Sequence, residues 1–325
     1  MAQSRALQGG RPDSSDVSRY RTVASFLLLA VAWGTAFVAI RAGLEYFPPV
    51  LFAALRYDLA AAFMLAYAAY ATDRPVPRTR EEWLAVGIGG TLLIAAYHAF
   101  LFVGQQSVTS AMAAVIVSLS PVLTTAFARV LLPSERLAPA GLLGMALGLA
   151  GVAILSRPDP GNVLSADVIA TGLILAGAAA FALGSVLLRR AEAELPIETL
   201  EGWSMALGAL LMHALSVWMP GEAFAAVEWS SEAVLALAYL AVVSSAVGFL
   251  LYFDLLERLG PIEINLVSYV VPVVTAIAGW LLLAEALDPA TIGGFLIIFV
   301  GFCLIKRRQL VAELPAMRAA ITDRL

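Results

Sequence analysis

The sequence predicts an all-α polytopic membrane protein of ten transmembrane helices, arranged as two inverted five-helix repeats around a central cavity. Three observations carry that expectation: an apolar content far above the soluble range, ten apolar segments of spanning length, and an echo between the halves at an offset of 150 residues. Of 325 residues, 61% are hydrophobic and 14% charged, where soluble domains run at about 45–50% apolar. Mean hydropathy is +0.88.

A span needs roughly 20 mainly apolar residues at about 1.5 Å rise each. The first 22 residues are polar, with Arg5, Arg11, Arg19 and Arg21 among Ser, Gly and Asp. They read as a disordered tail ahead of an uncleaved first helix. Spans then follow at about 23–44, 48–70, 83–104, 109–132 and 138–156, which form the first repeat over 23–156. The second repeat, 166–306, holds spans at about 166–188, 199–219, 232–255, 262–284 and 289–306, and residues 307–325 form a C-terminal tail. Pro48-Pro49, Asp73-Arg-Pro-Val-Pro77, Pro158-Asp-Pro160, Pro220-Gly221 and Gly260-Pro261 punctuate the intervals. Pro139 and Pro289 open their helices, and Asp288 has the chemistry of an N-cap. With the N-terminus inside, seventeen of the twenty basic residues are cytoplasmic, leaving Arg41 and Arg157 outside and Arg56 within a span. Such a bias puts both tails in the cytoplasm and makes the chain a multi-pass protein of the cell membrane.

The repeat is visible in residues 118–140 laid against 269–290. Pro121 pairs with Pro272, and after a one-residue gap Glu135 pairs with Glu285, Pro139 with Pro289, Gly144 with Gly294 and Gly151 with Gly301. Gly34 likewise precedes Gly184 by 150 residues. Five helices per half is an odd number, so the halves enter the membrane in opposite directions. Inverted repeats mark secondary transporters, whose substrate site lies near the midplane between the halves. The runs Ala32-Trp-Gly-Thr-Ala-Phe37, Ala54-Leu-Arg-Tyr57, Thr109-Ser-Ala-Met-Ala-Ala114, Ser118-Leu-Ser-Pro121 with Glu135, and Leu259-Gly-Pro261 with Pro272 and Glu285 resemble the EamA-like branch of the drug/metabolite transporter (DMT) superfamily. That resemblance covers nearly the whole chain after residue 22. It implies a ten-helix carrier with a central cavity, moving small metabolites, commonly outward.

Polar residues at membrane depth are the candidates for function. Pro121 and Pro272 break their helices, at about 3 kcal/mol each in a helix interior, and read as paired hinges or as static kinks absorbed by packing. His98, beside Tyr97, reads as a substrate or proton ligand, or else as a neutral histidine bonded to a neighbouring helix. His213 reads as interfacial or structural. Trp33, Tyr97, His98, Ser120, Ser185, Ser245, Asn265 and Tyr269 form the expected lining of a mildly polar, aromatic cavity, although membrane hydroxyls often satisfy their own backbone. Arg56 reads as a structural donor to carbonyls, and its neighbour Asp58 points to nearly the opposite side of the helix. Glu135 and Glu285, at helix ends, read as structural groups near the next helix's N-terminus. The ladder Gly141, Gly144, Gly148, Gly151 lines one helix face for close packing.

Several classes are excluded. The net charge of −4 and the scattered basic residues give nucleic acid no footprint. The single Cys303 forms no intramolecular disulfide, no Cys/His spacing suits a metal, and no cofactor motif occurs. Phosphorylated cargo calls for cationic clamps, and Arg56 is the one basic residue well inside a span. A DMT-type carrier for phosphorylated metabolites is therefore a secondary reading, as is an intramembrane enzyme, for which no nucleophile-base constellation is recognisable. The primary reading is a carrier and not an enzyme: an alternating-access exporter of amino acids, related metabolites or amphiphilic solutes. Its expected partners are a small-molecule substrate and membrane lipid, with any proton coupling routed through His98 or a peripheral acid such as Asp254.

Overall fold

The computed structural model describes residues 14–131, 139–156, 165–191, 193–259, 264 and 267–322. All regular structure among them is helical. The helices are α1 (Ser14–Gly43), α2 (Pro49–Ala71), α3 (Arg80–Gln105), α4 (Ser110–Leu131), α5 (Pro139–Ser156), α6 (Ala166–Ala191) and α7 (Ile197–Trp218). Next come α8, built from Ser231–Ala238, Tyr239–Val247 and Gly248–Leu259, then α9 (Val267–Leu283) and α10 (Pro289–Thr322). Seven are long and apolar enough to cross a membrane: α2, α3, α4, α6, α7, the Arg21–Gly43 part of α1 and the Ser231–Tyr252 part of α8. Leu142–Leu155, Val267–Leu283 and Pro289–Leu304 are shorter apolar helices.

Four starts have a side-chain cap as their local cause. The α3 start is a reciprocal capping box, with Thr79 Oγ1 accepting from the Glu82 amide at 3.2 Å and the Glu82 carboxylate accepting from the Thr79 amide. Thr109 caps α4 through the Met112 amide and Ser230 caps α8 through the Ala233 amide. Asp288 accepts from the Ala290 and Thr291 amides ahead of α10, the cap its position in the sequence suggests.

Helix pairing crosses the two halves of the chain. α2 lies along α7, α1 along α9, and α5 along α10, while α6 packs on both α3 and α4. Where α5 meets α10, glycines let the backbones touch. A Cβ on Gly301 would stand 2.5 Å from the Gly144 carbonyl oxygen, and one on Gly151 would stand 2.9 Å from that of Gly294. Lipid supplies no hydrophobic drive between helices, so close van der Waals contact must supply it. The glycine ladder read from the sequence meets a second ladder here.

The two prolines sit differently. The fourth helix is interrupted by a turn at Ser118 and Leu119 and restarts at Ser120, so Pro121 occupies a first turn, where proline is tolerated. Pro272 lies inside α9 and cannot donate to the Ser268 carbonyl. Close by, Thr275 Oγ1 donates to the Val271 and Gly34 carbonyls, each at 2.9 Å, tying α9 to α1.

A second irregularity is symmetric. α3 contains a π-helical segment over Gly89–Ala96 and α8 another over Tyr239–Val247, whose first residues are 150 positions apart. Wide turns of this kind inside α-helices are frequent at functional sites.

The bundle end that carries the α1–α2 turn is tightly tied. Glu222, 6% exposed, accepts from the Val50 amide at 3.0 Å and the Leu51 amide at 2.8 Å. Glu285 accepts from the Ser110 amide at 3.1 Å and from Ser110 Oγ at 3.2 Å. Sequence position put Glu285 near the next helix, α10; its carboxylate instead caps α4, across the bundle, while Asp288 caps α10. Ala284, in the left-handed region at φ 52, turns the chain out of α9 so that Glu285 can reach over. Gln105 Nε2 and Ser110 Oγ both donate to the Phe37 carbonyl. Glu135 lies outside the described residues.

Candidate functional site

A polar belt runs through the middle of the bundle. Arg56, on α2 and 5% exposed, donates from Nε to Ser245 Oγ at 3.0 Å and from a terminal nitrogen to Ser244 Oγ at 3.2 Å. Both serines lie in the π-helical segment of α8, so its hydroxyls, rather than carbonyls, receive the guanidinium. The Arg56 guanidinium also stands 5.1 Å from the Tyr57 ring centroid, within cation–π range. The described residues provide it no carboxylate.

Tyr57 extends the belt into α3. Its hydroxyl meets His98 Nε2 at 2.8 Å, and His98 Nδ1 meets the Ile94 carbonyl at 2.9 Å. A carbonyl only accepts, so Nδ1 carries a proton, and in the singly protonated ring Nε2 accepts from the tyrosine. Ile94 belongs to the π-helical segment of α3 and His98 follows it by one residue beyond Tyr97. Each half thus brings the polar groups of its π-containing helix to α2. Tyr97 packs edge-on against His98 at 4.4 Å and tilts against Phe181 of α6 at 5.3 Å.

On the other side Trp33 of α1 donates from Nε1 to the Ser244 carbonyl at 3.2 Å and stacks on Tyr252 at 5.5 Å, with Phe249 edge-on at 6.1 Å. Trp33, Tyr97, His98 and Ser245 are therefore brought into one network, together with Arg56. Others stand apart. Ser120 Oγ donates to the Val117 carbonyl and Ser185 Oγ to the Phe181 carbonyl, each satisfying its own helix. Tyr269 packs on Phe302 and Phe299 of α10 at 4.3 and 5.6 Å. Asn265 lies outside the described residues. Among the described residues no group of three or more His, Cys, Asp or Glu side chains is placed to hold a metal.

Tyr57 belongs to this neighbourhood although no motif singled it out as a site residue, and Ser244, one of the second-half hydroxyls the sequence offers for a cavity wall, joins it beside Ser245. Helical spacing offered a signal only for Tyr57, which is adjacent to Arg56.

Asp58 and His213 form a separate pair, 2.7 Å apart between α2 and α7. They are 44% and 36% exposed and share their face with Leu59, Phe63, Leu210 and Val217. Asp58 does point away from the side of Arg56, as helix geometry requires. We expect Asp58→Ala and His213→Ala each to destabilise the protein, and the double variant to cost less than their sum by about 1 kcal/mol. Unfolding of all four proteins in one detergent measures that coupling.

The fold and this belt define a multi-pass membrane protein with its polar groups gathered inside a bundle of apolar helices. The model of the EamA-like transporter family matches residues 21–157 and again 168–307, and the chain belongs to that family. The chain is 31% identical over 298 residues to the uncharacterized inner membrane transporter YedA of Escherichia coli K12, covering 91% of this chain and 94% of that protein. It is 25% identical over 297 residues to the uncharacterized transporter YvbV of Bacillus subtilis, covering 91% and 95%. A probable amino-acid metabolite efflux pump of Salmonella typhimurium is 29% identical over 287 residues, covering 85% and 91%. One solved crystal structure superposes with a TM-score of 0.61 at 25% identity, covering 92% of this chain and 99% of that one.

Proposed function

We propose that the protein is a secondary carrier that exports small metabolites, amino acids and related compounds first among them, by alternating access between two inverted five-helix halves. The observation that carries this reading is the pair of π-helical segments 150 residues apart, whose polar groups, His98 and Ser244 with Ser245, converge on Tyr57 and Arg56 from opposite halves. Irregular backbone is tolerated at membrane depth where protein or a wet cavity receives its polar groups. Interrupted helices beside a central site are the structural habit of secondary transporters. Amino-acid cargo is favoured by the name of the Salmonella typhimurium relative and by a belt that mixes aromatic rings, hydroxyls and single charges.

In this reading the helix ends tied by Glu222 and Glu285 form the closed external gate, with both tails in the cytoplasm. Export requires those carboxylates to release the Val50, Leu51 and Ser110 amides when the cavity turns outward. Pro272 and the turn at Ser118 lie where the fourth and ninth helices flex. His98 is held between the Tyr57 hydroxyl and the Ile94 carbonyl, and it is the internal group through which a proton would move. Counterflow in proteoliposomes, with labelled amino acids and related metabolites, tests the proposal. Saturable exchange of at least one compound is the expected result. Absence of exchange for the whole panel, with substrate turnover in the same vesicles, would replace the carrier with an enzyme.

A further inference from the structure

Asp58 and His213 stand outside the interior network, on the outer face that α2 and α7 share. Their depth follows from the helix end beside them. Glu222, just past α7, holds the Val50 amide, and Asp58 comes eight residues further along α2, about 12 Å into the membrane. Asp58 is 44% exposed and His213 36%, so an ionisable pair faces lipid tails, where such groups are costly without further partners. The pair is only half satisfied. His213 Nε2 meets Asp58 Oδ2 at 2.7 Å, and among the described residues neither His213 Nδ1 nor Asp58 Oδ1 has a hydrogen bond. In the ion pair Nδ1 is a spare donor and Oδ1 a spare acceptor.

Lipid tails supply neither a donor nor an acceptor, and a different protein would have to bring both at this depth. A second copy of this chain brings them by symmetry. A two-fold axis along the membrane normal keeps every residue at its own depth, so His213 of each copy can donate to Asp58 of the other, and the face is complementary to itself. The backbone beside the pair permits the approach. Asp58, Ala62 and Ala66 recur every four residues along one stripe of α2, and all three are exposed. Small residues at that spacing let membrane helices meet closely. Leu59 and Phe63, 42% and 51% exposed, flank the stripe with apolar surface. From this arrangement we infer that the α2–α7 face pairs with the same face of a second copy, forming a two-fold dimer within the membrane.

Oxidative cross-linking of the full-length protein in membranes tests the interface. In a Cys303→Ser background, which removes the single native cysteine, Ala62→Cys and Ala66→Cys are expected to give disulfide-linked dimers. Leu281→Cys, on α9 and 64% exposed, is the control and is expected to stay monomeric. Affinity is read by energy transfer between copies labelled with donor or acceptor at the C-terminus and reconstituted in vesicles. Transfer should rise saturably with the protein-to-lipid ratio. Asp58→Ala and His213→Ala should each weaken the association about tenfold, because either substitution removes both reciprocal contacts. Monomers at every ratio, no cross-link at either alanine, cross-linking at Leu281 as readily as at Ala62 and Ala66, or association unchanged by both substitutions would each overturn the interface. Where an alanine variant fails to fold, the comparison of cross-linking positions still decides.

Discussion

Gly301→Leu is expected to destabilise the protein by about 3 kcal/mol or more, the upper range for overpacking a close contact. A Cβ at this position meets the Gly144 carbonyl oxygen at 2.5 Å and the Gly148 amide nitrogen at 3.2 Å. Both obstacles are backbone, so no side-chain rotation relieves them, and α5 and α10 must separate along their length. Gly293→Leu provides the control, since nothing lies within 4 Å of a Cβ there. Thermal unfolding in detergent should show a large loss for Gly301→Leu and almost none for Gly293→Leu. Similar behaviour of the two variants would mean that the helices do not meet at these glycines.

Glu222→Ala is the second substitution with a large expected effect, a loss of about 3 kcal/mol. Its two bonds to the first amides of α2 are charge-assisted, and such bonds contribute about 1.5–3 kcal/mol each. The carboxylate also meets the positive end of the α2 dipole. Truncation leaves the Val50 and Leu51 amides without an acceptor. Hydrogen exchange at those two amides should accelerate in the variant while the middle of α2 stays protected. Unchanged exchange would show that water replaces the carboxylate without cost and that Glu222 is not a tie.

Much of this architecture was legible because hydrophobic length, glycine spacing and the half-chain echo are properties of composition and order. Helix starts were readable where a cap has a side-chain signature, as at Asp288. The opposed directions of Arg56 and Asp58 followed from a 100° step per residue, but their partners did not, because Ser245 and His213 lie 189 and 155 positions away. Pro121 announced a break in mid-helix, and the helix is interrupted immediately ahead of it. The break itself is the turn at Ser118 and Leu119, and the proline opens the second stretch of α4. Neither π-helical segment leaves a mark in the sequence, since one wide turn changes a hydrogen-bond register and not a residue type.

The wide turns in α3 and α8 also set a register. They begin at Gly89 and Tyr239, at the same 150-residue offset as the glycines Gly144 and Gly294. Each of the two matched stretches, 21–157 and 168–307, therefore carries one such turn, and a residue deleted from either would rotate everything beyond it by about 100° against its counterpart.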